Sequence, residues 1–223
     1  MKRIDLSIVI PVYNEEKRLG GVEKIKNWVK KNGIRGEIIV INDGSTDSTA
    51  HKVQCISYMP NRGKGYAVKQ GVLVSKGKWV MFCDVDLSVT LESMSLIWKM
   101  RKNDTIDIGS RRKYGAKIIK RQTKTREFSG VIFSWLAKWV SGVKVNDFTC
   151  GCKLFPGKQA KLIFKDLKTE RWVFDVEVLW MAKKMGMEII EVPVTWRNNK
   201  NTRVKMVRDV VTSFFDLMRL RGR

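Results

Sequence analysis

Three strongly apolar segments frame the first half of the chain: Leu6 to Val12, Glu37 to Ile41 and Trp79 to Cys83. Their length and β-branched content predict strands buried on both faces. Between the first two, Leu19, Val22, Ile25 and Val29 fall at helical spacing, and Gly63 to Val74 reads as a second helix. Asn42-Asp43-Gly44-Ser45 is a turn, with Ser45 or Thr46 placed to cap a following helix. Ile106 to Ser110 is a further strand. This alternation predicts an α/β fold: a Rossmann-like, doubly wound, mostly parallel sheet.

The second half has a different texture. Ser110 to Arg126 carries eight basic residues and no acidic one. Phe128 to Val140 is helical and rich in aromatics: Phe128, Val131, Ile132, Trp135 and Trp139 share its pattern. Phe174 to Gly186 is helical, and Glu188 to Trp196 is a strand. Val204 to Leu220 predicts a basic amphipathic helix with Val207, Val210, Val211, Phe214, Phe215 and Met218 on its apolar side. No repeat or linker interrupts residues 1–223, so one domain is expected. Residues 1–110 form one half of it and 111–223 the other.

Composition adds one unusual quantity. With 44 basic and 22 acidic residues the formal charge is +22, which favours anionic partners. No recognition-helix, RNP-type or zinc-finger pattern accompanies it, so nucleic acid is not the expected partner. Cys150 and Cys152 lack zinc-knuckle spacing, Cys83 lies in an apolar run, and all four cysteines are expected as free thiols in a cytosolic setting. Met1-Lys2-Arg3-Ile4-Asp5 leads directly into a strand pattern, so no leader is expected. The longest uncharged apolar run, Phe128 to Ala137, is far short of the roughly 20 residues that span a bilayer.

The polar clusters follow the strands, where open α/β sheets bind ligands. Asn14 and Glu15 follow the first, Asp43 the second, Asp84 and Asp86 the third. Two carboxylates at i and i+2 can share a hard divalent cation, Mg2+ or Mn2+, with substrate phosphates. Asp43 is placed to accept from a base or ribose. Asn61-Arg62-Gly63-Lys64-Gly65 offers close backbone approach and a cation for phosphate, without Walker spacing.

Four ordered segments, Ile10 to Glu15, Asn42 to Asp47, Asn61 to Gly65 and Asp84 to Ser88, resemble the family 2 glycosyltransferases of the GT-A fold. The resemblance implies that Pro11, Tyr13, Glu15, Asp43 and Lys64 hold a nucleotide sugar. It implies that Asp84 and Asp86 hold metal and diphosphate, with Ser88 where mannose synthases place a metal-binding Gln. In the second half, Gly109-Ser110-Arg111, Asp147 to Phe155, Arg171 to Glu177 and Glu191 to Trp196 resemble polyprenyl-phosphate sugar synthases. Dolichyl-phosphate β-glucosyltransferases match this pattern more closely than dolichol-phosphate mannose synthases. Arg111 aligns with the family's Gly-Ser-Arg arginine, and Arg126, rather than Arg121, with its second arginine.

That resemblance implies transfer of a hexose, with UDP-glucose the favoured donor, to dolichyl or another polyprenyl phosphate, with inversion. GDP-mannose as donor and a saccharide hydroxyl as acceptor are the alternatives. A phosphate acceptor is already anionic, so a general base is not obligatory. Arg111, Arg126, Arg197 and Arg203 are the candidates for its phosphate, and Arg111, Arg126, Arg197 and Asp86 for catalysis. Asp147, Trp172 and Asp175 are candidates for positioning the sugar. Trp172 and Trp196 suit packing better than stacking, and Asp147, Asp175 and Glu177 suit orienting arginines and sugar hydroxyls better than acting as a base. Basic amphipathic helices lie in membrane interfaces. A peripheral site on the cytoplasmic face of an anionic membrane is therefore expected. His51 is expected on a surface helix without a role.

Overall fold

Alternation within the apolar runs decides which helices cover which face of the sheet. A computed structural model describes residues 3–199 and 206–222. The first half runs β1 (Leu6–Val12), α1 (Gly20–Lys31), β2 (Gly36–Asp43), α2 (Thr49–Lys52), β3 (Ile56–Tyr58), α3 (Lys64–Val74), β4 (Trp79–Cys83), α4 (Leu91–Met100) and β5 (Thr105–Ser110). The second adds β6 (Lys117–Lys120), α5 (Lys124–Ser141), β7 (Cys152–Pro156), α6 (Gly157–Asp166), α7 (Phe174–Lys184), β8 (Glu188–Pro193), β9 (Thr195–Arg197) and α8 (Met206–Arg221).

One seven-stranded sheet, ordered β3-β2-β1-β4-β7-β5-β8, draws strands from both halves. Its pairs are parallel except around β7, which runs antiparallel to both β4 and β5. On one face Ile8, Ile10, Met81 and Leu154 pack with Val22 and Ile25 of α1 and Met94 and Ile97 of α4. On the other, Val9, Val80, Phe82 and Phe155 pack with Val68 and Val72 of α3, Phe164 of α6 and Phe174 of α7. The Phe82 and Phe155 rings stack at 6.1 Å between centroids. All four cysteines are free thiols. His51 is exposed on α2.

Two local expectations need correction. Neither Ser45 nor Thr46 caps a helix: α2 begins at Thr49, and Ser45 Oγ instead accepts from the Asn14 amide at 2.8 Å. The run Glu188 to Trp196 is two strands, not one. Pro193 has no N–H for a ladder, and beyond it the chain leaves β5 and pairs with β6 in a separate two-stranded sheet. On α8, Phe215 and Met218 of the expected apolar side are exposed, and among the described side chains Ser213, Leu217 and Leu220 are buried. The side chains of Val207, Val210, Val211 and Phe214 lie outside the described residues.

Asp107 on β5 is fully buried, and its Oδ2 has no hydrogen-bond partner. Burial pushes its carboxyl up to about 6, against the Thr105 hydroxyl and Lys102, with Glu188 adding repulsion. A folded pKa above the unfolded one means the folded chain holds the extra proton. That stabilisation is complete below about pH 4 and is lost as pH rises through about 6. Relative to wild type, Asp107→Asn is expected to gain about 3 kcal/mol between pH 4 and pH 7.5 in urea unfolding. A constant difference between the two proteins would show that Asp107 titrates normally.

Candidate active site

The carboxyl ends of β1, β2 and β4 bring three loops together. After β1 the chain turns at Asn14, which takes a left-handed φ of 53° that asparagine tolerates. Its Oδ1 accepts from the Thr46 and Asp47 amides at 2.7 and 3.2 Å. The Glu15 amide donates to Thr49 Oγ1 at 2.7 Å, so the loop after β1 is tied to the loop after β2. Pro11 and Tyr13 are half-buried at this seam.

Asp43 is buried at the end of β2, and both its oxygens are engaged. Oδ1 accepts from Tyr58 Oη and the Arg62 amide, each at 2.8 Å; Oδ2 accepts from Asn61 Nδ2 at 2.7 Å and the Gly63 amide at 2.9 Å. This carboxylate braces the Asn61-Arg62-Gly63 loop instead of standing open. A base N–H would reach it by replacing one of these donors. Gly63, at φ 116°, passes the Glu170 carbonyl so closely that a Cβ would lie 2.6 Å from it. The loop thereby delivers Lys64 to the start of α3.

Lys64 Nζ lies 2.6 Å from Asp84 Oδ1. Burial works against its charge, but Asp84, Asp175 and Asp86 outweigh that and raise its pKa. Asp84 Oδ2 faces Gly151, where a Cβ would come within 1.9 Å of it. Asp86 Oδ1 accepts from the Ser88 amide at 2.9 Å and Oδ2 from the Ser88 hydroxyl at 2.8 Å. Ser88, expected as a metal ligand, therefore points its hydroxyl at Asp86 and orients that carboxylate. Asn199 Nδ2 donates to the Asp86 carbonyl at 3.0 Å, and the Arg197 amide to the Ser88 carbonyl at 2.9 Å. Arg197, exposed on β9, thus flanks the Asp84-Val85-Asp86 loop. Arg203 lies outside the described residues.

Two carboxylates with hard oxygens, partly open to solvent, suit Mg2+ or Mn2+. No cluster of three or more His, Cys, Asp or Glu suited to a metal occurs among the described residues. An ion at Asp84 and Asp86 would complete its shell from diphosphate and water, and the bare backbone at Gly151 leaves the Asp84 carboxylate its place. The residues fit such an ion.

At the end of β5, Arg111 is clamped by Asp147: Nε donates to Oδ2 and Nη2 to Oδ1, both at 2.7 Å, and its amide to Oδ2 at 2.9 Å. Nη2 also donates to Thr149 Oγ1 at 2.9 Å. Burial alone would raise the Asp147 pKa; the Arg111 charge and hydrogen bonds bring it down to about 2. Arg126, half-buried in the first turn of α5, has its pKa lowered by burial and by the Arg111 charge, so the two cations are within electrostatic reach of each other. Asp84 is near enough to support the Arg111 charge, which links Arg111 to the donor loop. Asp175 does not orient an arginine. It is buried against Lys153 Nζ at 2.6 Å, and Lys153 also donates to the Cys150 carbonyl at 2.9 Å. Glu177 accepts from the Lys168 and Thr169 amides and so braces that loop. Trp172 is half-buried before α7.

Arg18, Lys153, Gly151 and Asn199 were not foreseen as part of the site. Arg18 chelates Glu15 and holds Nη1 3.9 Å from Asp86 Oδ2. Its only local signal is acid–base spacing at i and i+3 just after the first polar cluster.

Residues 7–157 match the family model of Glycosyl transferase family 2. The chain belongs to this family. It is 32% identical to the dolichyl-phosphate beta-glucosyltransferase of Dictyostelium discoideum, over 99% of this chain and 75% of that protein. The Drosophila melanogaster protein of the same name is 34% identical, over 86% of this chain and 67% of that one. Glucosyl-3-phosphoglycerate synthase from Mycobacterium tuberculosis, solved with Mn2+, UDP-glucose and phosphoglyceric acid, superposes with a TM-score of 0.72 at 17% identity. That superposition covers 98% of this chain and 80% of the synthase. The shared architecture is GT-A, and the chain is a glycosyltransferase.

Proposed function

We propose that this enzyme transfers glucose from UDP-glucose to dolichyl or a related polyprenyl phosphate, with inversion and with Mg2+ or Mn2+, working peripherally on the cytoplasmic face of a membrane. The carrying observation is that Arg111 lies within electrostatic reach both of Asp84 and of Arg126, which sits on the helix that exposes an aromatic stripe. Phe128, Val131, Ile132, Trp135 and Trp139 of α5 are all exposed, and Trp135 is 65% accessible. Arg221 of α8 lies 3.7 Å over the Trp139 ring. A cationic site beside apolar surface matches an acceptor with a phosphate head and a hydrocarbon tail. No helix among the described residues is long and apolar enough to cross a membrane.

In this reading an acceptor phosphate oxygen attacks the anomeric carbon from the face opposite the diphosphate. The new C–O bond forms as the bond to the diphosphate breaks, and UDP leaves with that electron pair. The phosphate is already anionic, so no base takes a proton. Arg111, fixed by Asp147, and Arg126 hold the phosphate in line. Lys64 faces the departing diphosphate from the start of α3. A divalent ion at Asp84 and Asp86 would neutralise charge on the leaving group.

The test is incubation with UDP-[14C]glucose, Mn2+ and either dolichyl phosphate in anionic vesicles or phosphoglyceric acid in solution. Label is expected in the lipid phase and is expected to fall when Phe128 and Trp135 are both changed to Ser. Label confined to a water-soluble product refutes the lipid acceptor.

A further inference from the structure

We propose that Lys64 is a built-in competitor for the metal site: its ammonium occupies Asp84 Oδ1, and the donor diphosphate draws it away, so that metal and donor bind as a coupled pair. The inference rests on reading Asp84 and Asp86 as the metal carboxylates. Asp84 has little freedom to serve two cations. Its Oδ2 lies against the Gly151 backbone, and its Oδ1 carries Lys64 Nζ at 2.6 Å. The Asp84 amide is tied to the Gly151 carbonyl at 3.2 Å, which fixes the residue at the end of β4.

Lys64 is not freely relocated inside the protein. The nearby carboxylate of Asp175 is already bonded to buried Lys153, and Asp86 already faces Arg18. The strongest acceptor still able to claim the ammonium is an incoming anion. Lys64 is the first residue of α3, where the helix dipole favours one. Charge points the same way. Asp84, Asp86 and Glu15 stand against Lys64 and Arg18, so a bare divalent ion meets two competing cations. A diphosphate compensates both and adds oxygens for the ion. Coupling of this kind is reciprocal: whatever the donor adds to metal affinity, the metal adds to donor affinity.

The experiment measures Mn2+ binding by the electron paramagnetic resonance signal of the free ion, with and without UDP, in wild type, Lys64→Met, Lys64→Arg and Asp84→Asn. Lys64→Met is expected to bind Mn2+ alone about tenfold more tightly than wild type, the weight of one charge-assisted contact. The gain in Mn2+ affinity on adding UDP is expected to shrink by a similar factor. Lys64→Arg keeps a cation at the site, so its Mn2+ affinity without UDP is expected to stay low. This comparison stands even if Lys64→Met folds poorly. Tight Mn2+ binding by Lys64→Arg, or no gain in folded Lys64→Met, overturns the proposal while Asp84→Asn still abolishes Mn2+–UDP binding. If Asp84→Asn leaves Mn2+–UDP binding intact, the metal reading itself fails, and the competitor role falls with it.

Discussion

Asp84→Ala and Asp86→Ala are each expected to lower the turnover of glucosyl transfer by on the order of a thousandfold. Melting temperature should change by only a few degrees. Activity is at stake because the two carboxylates stand where charge develops on the leaving diphosphate. Stability is less at stake because the Asp84 side chain is 38% exposed, and Lys64, though only 18% exposed, keeps the carboxylates of Asp86 and Asp175 nearby. Asp86 carries somewhat more structure, since it accepts from both the amide and hydroxyl of Ser88. Asp86→Asn keeps an acceptor for that turn and separates the two contributions: it should restore the melting temperature of Asp86→Ala without restoring turnover. Ser88→Ala should cost only about tenfold, the size of an orienting contact behind a ligand. Turnover within a few-fold of wild type in Asp84→Ala, with the fold intact, would remove that carboxylate from the chemistry.

What could be read from sequence follows the range of the forces involved. β1 and β4 stop where expected because burial on both faces leaves continuous apolar runs, and the polar residues after them mark the sheet's carboxyl end. β7 is harder to read. Its five residues include Lys153, and a lysine argues against a buried strand until Asp175 is known to meet it. That partner is 22 residues away, on another element. Which apolar residues of α8 turn inward is hidden for a related reason. Phe215 and Met218 are as hydrophobic as Leu217 and Leu220, and only packing against α5 decides which pair turns inward. The position of polar residues after the apolar runs locates the site clusters at strand ends, but not their internal bonding. The carboxylate of Asp43 looks equally available in sequence whether it awaits a ligand or, as here, is occupied by Tyr58, Asn61, Arg62 and Gly63.

Arg111→Ala should be the most damaging single change in the acceptor half, through two separable effects. Turnover with the lipid acceptor should fall by about a hundredfold, because a preorganised cation is lost from the reacting phosphate. UDP affinity should hold, since Arg111 follows β5 and is clamped to Asp147 and Thr149, outside the donor loops. Stability should fall by about 3–5 kcal/mol, because Asp147, fully buried, would keep its charge without a partner. Arg111→Ala combined with Asp147→Asn should regain much of that stability and none of the activity. Arg111→Lys restores charge without the two-pronged grip on Asp147, and should lie between wild type and Arg111→Ala in both measures. The pair also predicts an acid limb. Asp147 is held at about 2, below its unfolded value near 4, so its stabilisation is complete above about pH 4 and is lost as pH falls towards 2. That limb is worth about 2 kcal/mol and should be missing from Asp147→Asn in unfolding curves across this range. If Arg111→Ala and the double variant were equally unstable, the cost would lie in lost packing around Trp196, which Arg111 overlies at 5.5 Å, and not in the stranded charge.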